Sequence, residues 1–129
     1  MGDAALIMLK FGAAAWNQWR REKPERVISL DGMKLDGMVL TGINFANVSL
    51  RHASLHATNL MNADLRHADL TGANLTEADL ISANLENAIL HGTILREADL
   101  LGANLANAQY SDDDLLGALH VPGKQSGPG

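Results

Sequence analysis

The residues of this chain best suited to acid–base chemistry or metal ligation near neutral pH are its five histidines, His52, His56, His67, His91 and His120. A second candidate is the triplet Asp112, Asp113 and Asp114, because carboxylates are the ligands a hard cation takes. A metal site needs several such groups converging on one point. A hydrolytic centre needs a nucleophile, a base and an orienting acid within hydrogen-bond reach. The chain has no cysteine, which excludes disulfides, thiolate metal sites and cysteine nucleophiles. Whether the remaining groups converge depends on the elements that carry them.

Those elements are set by a period of five. Every fifth residue from Leu30 to Tyr110 is large and apolar; fifteen of these seventeen are leucine, and the exceptions are Phe45 and Tyr110. Two residues before each stands a second apolar or small residue, alanine from Ala53 onward except at Thr58 and Thr93. An α-helix advances about 100° per residue, so a leucine every five residues spreads over its whole surface. A flat strand alternates every two residues, so an odd spacing sends successive leucines to opposite faces. A chain that takes a short extended step, turns a corner and starts again buries them all. The leucine (position i) and the residue at i−2 then point inward, i−1 points out, and i+1 and i+2 make the turn.

The corner positions support this independently. Gly32, Gly37, Gly42, Gly72, Gly92 and Gly102 all fall at i+2, as do Asn47, Asn62, Asn87 and Asn107. Glycine and asparagine tolerate the positive φ that the third position of a type II turn requires. With a right angle at each corner, four pentads close one square coil and residue i stacks on residue i+20. Successive coils then pair as parallel strands about 4.8 Å apart, giving a little over four coils and a rod on the order of 20 Å long. The inward residues Leu50, Leu55, Leu60, Leu65, Leu70, Leu75, Leu80, Leu85, Leu90, Leu95, Leu100 and Leu105 form the expected core.

This geometry leaves the catalytic candidates apart. His52 and His56 are expected near one corner and the other histidines elsewhere, and no two share a stacked column as metal ligands would. The glycines are corner glycines, not a phosphate loop. A core packed with leucine leaves no pocket inside the rod. No enzyme activity, cofactor, metal or small-molecule substrate is expected.

Segments such as Ala63-Asp64-Leu65-Arg66-His67, Ala73-Asn74-Leu75-Thr76-Glu77 and Ala103-Asn104-Leu105-Ala106-Asn107 resemble the A(D/N)LXX unit of pentapeptide-repeat proteins, over about residues 28–110. The resemblance implies an all-β solenoid, a right-handed quadrilateral parallel β-helix with four flat faces, and little about activity. The best-understood relatives are quinolone-resistance proteins that resemble duplex DNA and bind gyrase as dimers. This chain departs from them in having leucine where theirs is often phenylalanine, a shorter rod and no evident C-terminal dimer module.

One domain is expected, divided into an N-terminal capping helix within 1–26, the repeat region 27–110, a C-terminal cap 111–121 and a flexible tail 122–129. Residues 3–22 read as one helix across the open edge of the first coil, stopped by Pro24, with Leu9, Trp16 and Trp19 as its contacts. The first five i−2 residues, Ile28, Met33, Met38, Ile43 and Val48, are large enough to reach toward it. A membrane-surface helix fits less well, because Arg20, Arg21, Lys23 and Arg26 trail the apolar part instead of lining one face. At the other end the repeat is expected to fail, since Asp113 would occupy a buried i−2 site. Ser111 then reads as a helix N-cap with the Asp triplet in the first turn, and Leu115, Leu116 and Leu119 cover the last coil.

The outward columns follow from the twenty-residue stack. One i+1 column reads Thr41, Met61, Ile81, Leu101, with Val39 nearby, an apolar stripe suited to a protein partner or to self-association. The next face reads Asn44, Asp64, Asn84, Asn104 at i−1 and Asn47, His67, Asn87, Asn107 at i+2. Stacked amides of this kind are expected to bond along the coil axis, with a flat ligand-binding face as the alternative. From residue 59 to 110 seven acids (Asp64, Asp69, Glu77, Asp79, Glu86, Glu97 and Asp99) face only Arg66 and Arg96. A net charge of −5 argues against direct nucleic-acid binding. No stretch approaches the roughly 20 apolar residues of a membrane span, and no secretory signal is evident, so the cytoplasm is the expected compartment. The expected function is a non-catalytic interaction or scaffold module. The alternative is a DNA mimic directed at gyrase or topoisomerase.

Overall fold

The computed structural model describes residues 2–123. Most of the expected tail, from residue 124 on, lies outside the described residues. The single helix expected over 3–22 is instead two, α1 (Gly2–Lys10) and α2 (Ala13–Glu22). The break has a local cause. Gly12 takes a φ of 104°, which ends a helix, and the last turn of α1 closes through Phe11 and Gly12 N–H groups donating to Met8 and Leu9 carbonyls. Folding back at Gly12 lets both helices face the rod, with Ala5, Leu9 and Trp16 buried.

From Ser29 onward the chain is a solenoid. Its parallel bridges all join residues twenty apart, from Ser29 with Ser49 through Asp99 with Leu119. Four complete coils, 28–47, 48–67, 68–87 and 88–107, are followed by part of a fifth. Each coil has four corners. All sixteen i+2 positions from Gly32 to Asn107 have positive φ, Ala57, Glu77, Ser82 and Glu97 among them. At each corner the i+3 N–H donates to the leucine or phenylalanine carbonyl, as from Met33 to Leu30 at 3.1 Å. These are the marks of a type II turn. Where side chains with a Cβ occupy the corner, the axial ladder of backbone bonds holds them in place.

The outward i−1 residue explains why the repeat takes Asp or Asn there. Its Oδ1 accepts the N–H two residues on, at the corner, as in Asn44 to Ala46, Asp64 to Arg66, Asn84 to Glu86 and Asn104 to Ala106. The amide ladder expected along the coil axis is therefore not what these asparagines form; each satisfies its own turn. Serine at i−1 can accept in the same way, as Ser29 does from the Asp31 N–H at 3.3 Å, but in the second coil the hydroxyls of Ser49 and Ser54 donate instead. There the carboxylates of Asp31 and Asp36 reach across from the first coil, taking the Arg51 and His56 N–H groups and the serine hydroxyls.

The core is as the period demands. The inward leucines from Leu30 to Leu100 and Phe45 are at most 2% exposed. Leu105 is partly exposed, because little chain covers the last coil on that side. Thr58 and Thr93 stand in for alanine and stay buried because each hydroxyl donates back to the carbonyl three residues earlier, 2.8 Å away. Ile28, Ile43 and Val48 are buried, while Met33 and Met38 are partly covered.

Both ends are closed by side chains that imitate backbone. On the first coil, α2 covers the edge at Asn44. The Trp16 indole N–H and Arg20 donate to the Asn44 carbonyl, Arg20 also to Ala46, and Asn17 exchanges hydrogen bonds with the Gly42 carbonyl and Asn44 N–H. The Trp16 ring meets Phe45 edge-on, 5.3 Å between centroids. Burial pulls the Arg20 guanidinium below its ordinary pKa, opposed by the Asp64 charge and assisted by Arg26. At the far end residues Asp112–Leu115 form a 3-10 helix, with Ser111 and Asp114 as a capping box. The coil then resumes in register: Leu115 is buried, Gly117 accepts from Glu97, and Leu119 pairs with Asp99. Leu116 and Leu119 face solvent and do not cover the coil as expected.

Candidate interaction face

The four sides of the rod carry their i−1 columns in order, and the third side and its following corner hold the surface of interest. Backbone bonds from Gly42 to Met61, Asn62 to Ile81 and Ser82 to Leu101 set Thr41, Met61, Ile81 and Leu101 one above another at that corner. The i−1 column beside them reads Val39, Asn59, Asp79, Asp99 and Leu119. Val39 is 71% exposed, Leu101 51% and Leu119 45%, while Met61 and Ile81 are half-buried between their neighbours. The corner is held from within: Asn59, Asp79 and Asp99 accept the N–H groups of Met61, Ile81 and Leu101 at 3.0–3.1 Å. The polar column thus fixes the backbone from which the apolar column projects.

Leu119 belongs to this surface, although the sequence pattern places the end of the repeat at Tyr110. The available signal was Gly117 at i+2 and Ala118 at i−2 in unbroken register.

The third side is acidic in its upper coils. Asp79 and Asp99 lie between Glu77 and Glu97 of the preceding corner and the apolar column. His56 contacts Glu77 at 3.2 Å and His120 contacts Asp99 at 3.0 Å. The His120 hydrogen bond is the main cause holding the Asp99 carboxyl below its usual pKa, against slight burial and with help from the Leu101 N–H and the imidazole charge. The fourth side is nearly neutral, because the one carboxylate in its i−1 column, Asp64, is paired with Arg66 at 2.7 Å. That hydrogen bond, ahead of opposing burial, sets the Asp64 pKa low.

The histidines do not converge. His52 and His56 occupy successive corners, not one: His52 lies against Gly72, and His56 against Glu77. Among the described residues no group of three or more His, Asp or Glu could hold a metal ion. A groove of about 470 Å³ opens between the N-terminal cap and the first coil, lined by Ala4, Ala5, Trp19, Arg26, Val27, Ile28 and Ser29. Its one charged group, Arg26, is already stacked 4.1 Å from the Trp19 ring centre and bonded to the Trp19 carbonyl. No helix among the described residues is long and apolar enough to cross a membrane.

The profile of pentapeptide repeats matches in eight copies over residues 29–66, 39–76, 58–96 and 73–109. This chain belongs to the pentapeptide-repeat family. Among solved structures, this pentapeptide-repeat chain is similar to a family member from the Arabidopsis thaliana thylakoid lumen. They share 33% identity over 72% of this chain and 61% of that one, with a TM-score of 0.64. A pentapeptide-repeat protein of the cyanobacterium Cyanothece 51142 is 33% identical over 70% of this chain and 63% of its own, with a TM-score of 0.55. One from Nostoc PCC 7120 is 26% identical over 84% of this chain and 94% of its own, with a TM-score of 0.58. The chain thus spans under two thirds of the length of the first two relatives. Comparison with curated proteins gives no match.

Proposed function

We propose that this pentapeptide-repeat rod is a non-catalytic protein-interaction module whose working surface is the corner column Met61, Ile81 and Leu101 with Val39 beside it. The observation that carries the reading is the stacking of these apolar side chains on a hydrogen-bonded frame. A rigid, preformed apolar ridge loses little conformational entropy on binding, and contiguous exposed apolar surface marks contact sites more often than scattered residues do. The reading takes the coil as right-handed and quadrilateral, as the family resemblance implies, and places the rod in the cytoplasm.

The second reading, a DNA mimic directed at gyrase, draws on the carboxylates Glu77, Asp79, Glu97 and Asp99 of the third side. It predicts inhibition of supercoiling and indifference to Ile81. The test is affinity capture from lysate of the source organism, with wild type beside Ile81→Glu. A partner held by the wild type and lost by a folded Ile81→Glu rod supports the first reading. Equal recovery, or none, overturns it.

A further inference from the structure

The apolar column has unlike flanks, and the difference selects a kind of partner. On the third-side flank Asp79 and Asp99 stand next to Ile81 and Leu101, with Glu77 and Glu97 beyond them. On that side stands the cation Arg96, and the imidazoles of His56 and His120 hydrogen-bond Glu77 and Asp99. On the fourth-side flank Asn62, Ser82 and Gly102 are followed by Asn84 and Asn104, with Asp64 neutralised by Arg66. The ridge is therefore bordered by negative charge on one side and by uncharged polar groups on the other. Its teeth rise about 4.8 Å per coil. An α-helix lying along the rod axis offers side chains of one face every 5.4 Å or so, close enough for three successive turns to meet Met61, Ile81 and Leu101. A strand along the axis repeats every 6.6 Å or so on one face and falls out of step sooner.

We propose that the ridge docks an amphipathic helix of a partner protein, running parallel to the rod axis. That helix carries an aliphatic stripe against Met61, Ile81 and Leu101, and lysines or arginines on the flank facing Asp79 and Asp99. This inference rests on the reading that the ridge is the working surface and adds the partner's chemistry.

The probes are synthetic helical peptides of about 16 residues, long enough to hold a helix. Each has the same leucine stripe; one carries lysines on the matching flank, one glutamates, and one is a scrambled lysine sequence. Fluorescence anisotropy against the full chain is expected to show binding of the lysine peptide alone, weakened about tenfold or more by Ile81→Glu. Asp79→Asn with Asp99→Asn should weaken it comparably and flatten its salt dependence. These two changes keep the corner intact, because asparagine already caps corners in this repeat at Asn59, Asn74 and Asn84. Binding of the glutamate or scrambled peptide as tight as the lysine peptide would overturn the inference. So would lysine-peptide binding that ignores Ile81→Glu, or self-association of the rod that Ile81→Glu abolishes. If no peptide binds while lysate capture still depends on Ile81, the helix assignment fails and the ridge survives. If capture also ignores Ile81, the ridge fails with it.

Discussion

Asp114 places one carboxylate oxygen 3.0 Å from the Gly92 N–H, at the point where an unbroken coil supplies a carbonyl, as His91 does to Gly72. Its other oxygen accepts from the Ser111 N–H and hydroxyl. These bonds, the Ser111 N–H first, hold its pKa below the ordinary value against slight burial, with the His91 charge also lowering it. A folded-state pKa below the unfolded one contributes stability above about pH 4 that is lost as pH falls further. The thermal midpoint of the wild type should therefore drop between about pH 5 and pH 3. Asp31, Asp64 and Asp99 are shifted in the same direction, so Asp114→Asn should reduce that slope without abolishing it. Identical slopes for variant and wild type would deny Asp114 its closing role.

Adjacent residues at the third corner should behave oppositely. Leu80 is 1% exposed, and Leu80→Glu strands a carboxylate in the leucine core, a cost above about 4 kcal/mol that unfolds the rod. Ile81 projects outward, and Ile81→Glu should cost no more than about 1 kcal/mol. Circular dichroism and urea melts separate the two; equal damage would mean the inward–outward register is misassigned.

The N-terminal cap is expected to hold more than the helices themselves. Trp16 is fully buried against Phe45 and bonds the Asn44 carbonyl at 2.6 Å. Trp16→Ala should cost about 3–5 kcal/mol. It should also bare the first-coil edge, an open template for pairing with another chain. Light scattering across a concentration series should then reveal aggregation in the variant and none in the wild type.

His52 and Gly72 provide a test of column stacking. A Cβ at Gly72 would run into the His52 imidazole, whereas one at Gly92 meets only ordinary contacts with Gly72 backbone. Both glycines sit near φ 70°, so alanine at either strains the backbone by about 1–2 kcal/mol, as Ala57 already tolerates at φ 58°. Gly72→Ala should cost more than Gly92→Ala by about 1 kcal/mol, and His52→Ala should erase the excess. A double-mutant cycle with no coupling between 52 and 72 would contradict the stack.

The sequence alone determined the coil. A large apolar residue at every fifth position, leucine at fifteen of seventeen, with glycine or asparagine at most of the positions two residues after it, admits one way of burying the first and turning at the second. The twenty-residue stack and the outward column Met61, Ile81, Leu101 follow by counting. Gly12 is as legible a stop as any corner glycine, but the helix-forming residues on either side, Ala4 to Leu9 and Ala13 to Ala15, predict a helix running through it. What only the tertiary structure decided is which groups satisfy one another. Asparagines at i−1 choose their own corner N–H over a neighbour up the axis, because the turn presents that donor within reach of a short side chain. Arg20 on the first coil and Asp114 on the last imitate missing backbone. Leu119 joins the acidic side because the chain resumes the coil register after the 3-10 turn at Asp112–Leu115. Those are choices between partners distant in sequence, and periodicity carries no information about them.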